Sequence, residues 1–311
     1  MFKRFSNRQL LIVLAVIGGL YLLSLAFGGR KESSFDKTLV SLDTAKVDQL
    51  IMYPAGKAGS VRLQKSGAQW MVQTEDGNMV PTADGVVKSA LDQIAFLEAS
   101  QLVSRDPDKW IDYQVTDSAG TRIEVMQGSE KVADLILGNF AMGQNAINSY
   151  VRLNGKDETY VVSGYLGASF ARAADDWRNK SILKGSENEW ASLSVTAADL
   201  DPWQIVKGND NLWLLMPDSA ETNTTAVTNY MNGLRNVSGA AFANRPPQTA
   251  SVSYQLNIQS LNTGMIEVKA FSDAEHGFLV SSSQNPGAYF TDQDSSLVRK
   301  LFVDVASLRA E

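Results

Sequence analysis

The sequence predicts an α+β protein: a single N-terminal transmembrane helix followed by two tandem repeats of a module that combines an antiparallel β-meander with helices. Three observations support this prediction. An uncharged apolar run lies near the N-terminus, a hairpin that carries a tryptophan occurs twice, and short alternating strands joined by polar turns follow each hairpin. With 311 residues and 44% hydrophobic content, the chain is long enough for two modules with cores of their own.

The apolar run covers residues 10–27 and contains no charged side chain. At about 1.5 Å per residue, such a helix is about as long as the hydrocarbon core of a bilayer is thick. Lys3, Arg4 and Arg8 precede the run without an acidic residue, which predicts a cytoplasmic N-terminus and a chain whose bulk lies outside the cytoplasm. A cleaved signal peptide is the alternative, because Ser24–Ala26 offers small residues for cleavage, but the length of the run favours retention.

Small residues in this run predict a face on which another helix packs. Ala15 and Gly19 are four residues apart, and Ala26 lies about two turns further along the same side. Small side chains let membrane helices approach closely, because lipid provides no hydrophobic force for their association. The alternative is that glycine is simply common in membrane helices.

Charge and composition exclude several classes of function. The net charge is −6, and five basic residues precede the first acid, so residues 32–311 carry −11. An acidic ectodomain repels phosphate backbones, and nucleic acid is therefore not an expected partner. No cysteine is present, which excludes a lipoprotein anchor and disulfides, and the single histidine, His276, makes an ordinary zinc site implausible. No nucleotide-binding or nucleophile motif occurs, so we expect a non-enzyme without a cofactor.

The hairpin repeat is the most informative feature of the sequence. Residues 61–72 show alternating apolar and polar side chains, a turn at a Ser-Gly pair and a second strand that carries Trp70. Residues 203–215 show the same alternation, a Gly-Asn-Asp-Asn turn and a second strand that carries Trp213. Tryptophan can stack on sugars or contact a partner, so Trp70 and Trp213 are possible glycan or partner contacts. Their equivalent places in two repeats favour a role in the core.

A helix is predicted after each hairpin, over residues 82–100 and 224–240, because apolar residues follow at helical spacing. Leu91 and Leu234 lie equally far beyond their tryptophans, which supports a common register. Each half is also predicted to close with a helical segment, over residues 165–173 in the first and 295–308 in the second.

The downstream strands also show a similarity between the halves. Residues 113–115 (YQV) and 122–126 (RIEVM) in the first half are echoed by residues 254–256 (YQL) and 265–269 (MIEVK) in the second. A polar stretch at residues 185–188 marks the predicted boundary between the modules. The predicted division is a cytoplasmic N-terminus (1–9), a transmembrane helix (10–27), a juxtamembrane stalk (28–44), a first module (45–184) and a second module (185–311).

This combination of an N-terminal apolar span, tryptophan hairpins, the helix segment TADGVVKSALDQIAFLEAS and the segment RNKSIL resembles the bacterial domain-of-unknown-function family 4340. The resemblance implies a membrane-anchored protein of the bacterial inner membrane. It also implies that the partners are the permease and the auxiliary ectodomain subunits of an ABC transporter of the gliding-motility type. It provides no catalytic residues. We therefore expect a non-enzymatic periplasmic accessory subunit; the alternatives are an envelope glycan- or peptidoglycan-binding protein or hydrolase, and a released periplasmic solute binder.

Overall fold

The computed structural model describes residues 14, 16–19, 35–142, 147–210 and 212–310. The predicted α+β class is wrong, because the described part of the chain is mostly β: large antiparallel sheets hold most of its strands, and its α-helices are short. Of the predicted span, residues 10–27, only Leu14 and residues 16–19 are described, as helix, and the remainder lies outside the described residues. None of the helices in the described ranges combines the length and the apolar character that a membrane crossing requires.

The elements fall into two units with the same order of elements. The first unit contains β1 (Thr38–Ser41), β2 (Gln49–Tyr53), β3 (Val61–Ser66), β4 (Gln69–Gln73), β5 (Met79–Pro81), α1 (Val86–Ile94), β6 (Phe96–Ser104), β7 (Thr121–Gln127), β8 (Glu130–Met142), β9 (Ile147–Leu153), β10 (Thr159–Ser163) and α2 (Leu166–Phe170). The second contains β11 (Ser181–Lys184), β12 (Trp190–Ala197), β13 (Trp203–Lys207), β14 (Trp213–Met216), β15 (Ala220–Glu221), α3 (Thr224–Leu234), β16 (Asn236–Ser238), β17 (Tyr254–Ser260), β18 (Gly264–Asp273), β19 (Gly277–Ser282), β20 (Asn285–Asp292) and α4 (Ser296–Leu301).

Sheet topology establishes that the units are two copies of one arrangement. The first unit forms a ten-stranded sheet in the order β1-β6-β10-β9-β8-β7-β2-β3-β4-β5. The second forms an eight-stranded sheet in the order β15-β14-β13-β12-β17-β18-β19-β20, with β11 and β16 as a separate pair. When ten is added to each strand number of the first sheet, its order becomes β11-β16-β20-β19-β18-β17-β12-β13-β14-β15. This is the order of the second unit read from the opposite edge, with β11 and β16 detached as a pair. The two differ where β6 pairs with β10. In the second unit the segment that follows β16 meets β20 through the bridge between Phe242 and Phe290 and does not extend β16 along it in the described residues.

Both predicted hairpins are present. Strand β3 pairs with β4 and β13 pairs with β14, each antiparallel and in the register that places a lysine opposite the tryptophan. The first turn is the tight loop Gly67-Ala68, and Gly67 has φ +61°, a left-handed conformation that glycine adopts without a Cβ penalty. Local turn chemistry therefore favours the first hairpin.

Each predicted helix is shorter than expected, which is the main reason for the wrong fold class. Helix α1 ends at Ile94 and helix α3 at Leu234. The residues that follow form β6 and β16, which pair with β1 and β11. Strand pairing across the sheet thus overrides the helical periodicity of residues 96–100 and 236–240.

The predicted downstream alignment of the halves is displaced by one strand. Residues 113–115 form no strand, whereas residues 254–256 belong to β17. The segment 122–126 lies in β7, which is flanked by β2 and β8, and therefore corresponds to β17 rather than to β18. The sequence similarity of RIEVM and MIEVK reflects the alternation common to two neighbouring strands of a sheet.

A closing segment ties the end of each unit back to its tryptophan hairpin. In the first unit Thr82 bridges to Arg178 and the amide of Ala83 donates to the carbonyl of Trp177. In the second, Thr222 bridges to Arg309 and the amide of Asn223 donates to the carbonyl of Leu308. The closing segment of the first unit leads directly into β11, which leaves only residues 179–180 between the units.

The predicted division at residues 184 and 185 stays a prediction, and the strand pairing bears on its position. Strand β11, which precedes that boundary, pairs with β16 of the second unit. Strand β1 lies within the range predicted as a stalk and pairs with β6 of the first sheet.

Each unit has its own hydrophobic core between its sheet and its helices. In helix α1 the buried residues are Val87, Ala90, Leu91 and Ile94, and in helix α3 they are Val227, Tyr230, Met231 and Leu234, which gives the same spacing. This pattern aligns Leu91 with Met231, so the predicted equivalence of Leu91 and Leu234 is wrong by three residues. The turn after β4 is shorter in the second unit, and this accounts for the displacement.

Candidate functional site

The two tryptophan positions provide the clearest pair of matched sites in the molecule. Trp70 lies opposite Lys65 and Trp213 lies opposite Lys207 in their hairpins. A threonine hydroxyl donates to each tryptophan carbonyl, at 3.0 Å for Trp70 and 2.7 Å for Trp213. The hairpin and the start of the following helix therefore hold both side chains in the same surroundings.

In the second unit this site is closed. The side chain of Trp213 is 5% exposed, and its indole Nε1 donates to Oε1 of Glu187 at 3.0 Å. The ammonium of Lys207 lies 5.8 Å from the centre of the indole ring and donates to the backbone carbonyl of Glu187. Glu187 begins a short 3₁₀ helix, Glu187–Glu189, in the connector between β11 and β12. The predicted core role applies to Trp213.

In the first unit the same site is open. Trp70 is only partly buried and lines a groove of about 650 Å³ between the β3–β4 hairpin and helix α1. Lys65 and Lys88 also line this groove. The connector between β1 and β2 presents Thr44 and Ala45 to it, where the second unit presents a glutamate. Within the described residues, the indole Nε1 of Trp70 and the ammonium of Lys65 have no hydrogen-bond or ion-pair partner.

A second concave site lies where the two units meet. This cleft has a volume of about 680 Å³ and combines the turn after β4, the closing segment of the first unit and the segment after β16. The guanidinium of Arg178 stacks 3.5 Å above the centre of the Phe242 ring and pairs with Asp175 at 2.9 Å. Cation–π stacking of this kind contributes about 0.5–2 kcal/mol, so Arg178 both lines the cleft and joins the units.

Polar groups on both walls of the cleft are engaged within the chain. In the turn after β4, Asp76 accepts from Thr74 and Asn78, and the hydrogen bond from Thr74 contributes most to lowering the pKa of Asp76. On the opposite wall, Arg245 forms a bidentate pair with Asp273 at 2.9 and 3.2 Å. The bond from Arg245 holds the pKa of Asp273 well below its usual range. These carboxylates therefore remain ionised and oriented at neutral pH.

His276 has a structural position beside this pair. Its Nδ1 is 3.0 Å from Oδ1 of Asp273, which also accepts from the backbone amides of Glu275 and His276. These bonds close the turn between β18 and β19, as expected for a histidine in a turn. Across the described ranges, no group of three or more histidine, aspartate or glutamate side chains is arranged to hold a metal ion.

An ion-pair network on the first sheet was missed by sequence reasoning. Arg122 bonds both carboxylate oxygens of Asp134 and also Glu124, while Lys131 pairs with the same two acids. Partial burial on its own raises the pKa of Asp134, but hydrogen bonds from Arg122, Asn154 and Lys131 outweigh it and lower that pKa to about 2. The alternation of charged and apolar residues in RIEV was the available signal.

The residues predicted to pack a membrane helix are not brought together by the described structure. Ala15 and Ala26 lie outside the described residues. Gly19 is described, and a Cβ added there would meet no atom within 4 Å. The packing role of Ala15, Gly19 and Ala26 stays a prediction.

Comparison with known families identifies the chain at the level of its domain. Residues 73–258 match the model of a family described as a domain of unknown function (DUF4340). Because the match covers more than half of the chain, the protein belongs to the DUF4340 family. No curated protein and no solved structure matches the chain. The matched range begins in β4 and ends in β17, so it includes parts of both units.

Proposed function

We propose that the protein is a non-enzymatic accessory subunit of an ABC-transporter-type envelope complex of the gliding-motility kind, in which the two β units act as a partner-binding scaffold. The observation that carries the proposal is the cleft between the units. Two cores joined by two residues and by the Arg178–Phe242 stack form a firm concave surface, and interfaces of this kind are typical protein-binding sites.

The side-chain chemistry of the cleft favours binding over catalysis. Arg178 and Arg245 are each held by a carboxylate, and Asp76 is held by its own turn. Charged side chains that are held by such bonds present a fixed pattern of charge to a binding partner. Such complementarity gives specificity and speeds association.

The proposed location is the outer side of the bacterial inner membrane. Its support is the sequence alone: the uncharged apolar residues 10–27 behind a basic N-terminus, and an acidic remainder of the chain. Confinement near a permease would raise the effective concentration of the units at the complex, so weak contacts in the cleft would suffice. The partners are those that the family resemblance implies, namely the permease and auxiliary ectodomain subunits.

Affinity purification of the tagged full chain from native membranes tests this proposal. We expect the permease and auxiliary ectodomain subunits to be recovered with the wild-type chain. Glu75→Arg reverses an exposed charge in the cleft without removing a described bond, and we expect it to reduce recovery several-fold. Glu130→Arg makes the same change at the exposed first residue of β8 and serves as the matched control. Recovery of the chain alone, or equal loss with both variants, would contradict the proposal.

A further inference from the structure

The open groove beside Trp70 has an internal counterpart whose occupant is known. In the second unit, Glu187 occupies the equivalent position and accepts from the indole of Trp213 at 3.0 Å. Its backbone carbonyl accepts from the ammonium of Lys207 at 3.3 Å. The molecule thus contains one example of what a lysine–tryptophan pair on this hairpin binds.

The first unit has the same donors but lacks the acceptor. Lys65 and Trp70 are paired in the same register as Lys207 and Trp213. The connector across the groove presents Thr44 and Ala45, which have no carboxylate, while the neighbouring Asp43 accepts from the amide of Ala45 and pairs with Lys46. Within the described residues, the two donors are therefore left open to a group from outside the unit.

The shape and charge of the groove agree with a peptide occupant. Its volume of about 650 Å³ is within the range of small-ligand and side-chain pockets. The wall carries Asp84 and Lys88, whose ammonium pairs with Asp92 at 2.6 Å, so among the described residues of the groove Lys65 is the cation without an acidic partner. The buried face of helix α1 contributes Val87 and Leu91 to the floor. A carboxylate flanked by a short turn of backbone would meet an indole donor, an ammonium donor and an apolar floor together.

We propose that this groove, defined by Lys65, Trp70 and Lys88, binds an acidic peptide segment of a partner protein in the way that the second unit binds its own Glu187. The inference deepens the proposed function, because the segment would belong to a subunit of the complex. Binding of an isolated peptide does not depend on that complex. A failure to recover transporter subunits would contradict the proposed function and leave the groove as a separate question.

The probe is the synthetic peptide KGSENEW, which copies residues 184–190 of the chain, with blocked ends. Titration into the ¹⁵N-labelled full chain is followed through the tryptophan indole N–H signals, with the Trp70 signal assigned by Trp70→Phe. We expect the Trp70 signal to shift and to saturate. The same peptide with Glu187→Gln should bind about tenfold more weakly, since a neutral amide oxygen is a weaker acceptor than a carboxylate.

Two variants of the protein separate groove binding from general charge attraction. Lys65→Met removes the ammonium and keeps most of the side-chain volume, so we expect about tenfold weaker binding. Lys57→Met removes an exposed lysine outside this groove and should leave the affinity unchanged. Lys65→Met decides the outcome even where Trp70→Phe does not fold.

Several results would overturn the inference. Equal binding of the glutamate and glutamine peptides would show that no carboxylate is recognised. Unchanged affinity in Lys65→Met, or shifts confined to other indoles, would place the peptide elsewhere. Tighter binding of an oligogalacturonate at the Trp70 signal would assign the groove to acidic glycans. A shift of that signal with protein concentration alone would assign it to a second copy of the chain.

Discussion

Trp213 and Trp70 stand at the same position of two equivalent hairpins, yet Trp213 is enclosed and Trp70 borders an open groove. The difference arises in the connector between the first two strands of each unit. In the second unit the 3₁₀ helix Glu187–Glu189 brings Glu187 to the indole, whereas the connector of the first unit lines the groove with the small side chains of Thr44 and Ala45. The repeated hairpin therefore provides the same lysine and tryptophan donors in both units. The connector differs between the units, and it decides whether those donors have an acceptor within the chain.

Substitutions in the closing segments have the largest expected effect on stability, and they test how similar the two units are. Trp177 is fully buried in the first unit, and Leu308 has the corresponding place in the second. Trp177→Ala should lower the free energy of unfolding by about 3–5 kcal/mol and Leu308→Ala by about 2–5 kcal/mol, because both leave core cavities. Guanidinium denaturation measures both. Ile111→Ala, at a 61% exposed site, is the control and should change stability by less than about 0.5 kcal/mol. A value near the control for Trp177→Ala would mean that the first closing segment does not support its unit.

A smaller effect is expected from opening the closed site. Glu187→Ala removes the acceptor of the Trp213 indole and should destabilise the chain by about 1–3 kcal/mol, since a buried donor loses a charged partner. Urea denaturation gives the stability, and acrylamide quenching reports the exposure of Trp213. Glu189→Ala, in the same 3₁₀ turn, removes a side chain that forms no hydrogen bond or ion pair within the described residues. Equal effects of the two variants would show that Glu187 does not close the site.

The smallest expected effect on stability concerns the ion pairs on the two sheets. Asp134 of the first unit has two cationic partners, Arg122 and Lys131, whereas Glu267 in the corresponding β17–β18 pair of the second unit has one, Lys269 at 2.9 Å, beside the neutral Gln255. The folded-state pKa of Asp134, about 2, is below its ordinary value of 3.8, so folding favours the ionised form. This stabilisation is complete above about pH 4 and is lost as the pH falls toward 2.

Asp134→Asn should therefore flatten the loss of stability between pH 4 and pH 2. The expected change is on the order of 1 kcal/mol or less, because the group is partly exposed and solvent screens the pair. Thermal denaturation at several pH values measures it, with Glu267→Gln as the matched control in the second sheet. An unchanged slope for Asp134→Asn would mean that the network does not contribute to folding.

The sequence predicts features that depend on neighbouring residues better than features that depend on distant pairing. The Ser66-Gly67 turn and the alternating residues around it were enough to place the first hairpin. The helix after it was predicted too long, because residues 96–100 are apolar at helical spacing but pair with β1, far back in the chain. The one-strand displacement of RIEVM has the same cause, since only the pairing partners distinguish β7 from β8.

The candidate site shows the same limit. The repeated tryptophans were visible in the sequence, and their equivalent places correctly indicated a core role for Trp213. The open state of Trp70 was not visible, because it depends on what a connector carries across space. The cleft between the units was not predicted either, since Arg178 and Phe242 meet only after both units have folded.

The two-residue passage between the units has a mechanical consequence. The carbonyl of Asn179 accepts from the side-chain amide of Asn285, and the carbonyl of Lys180 accepts from the amide of Gly239, so the passage is clamped to the second unit. Tension applied to one unit is therefore transmitted to the other through these hydrogen bonds, and the passage does not extend as a flexible linker would. The junction therefore resists bending, because the passage can bend freely only after these hydrogen bonds break.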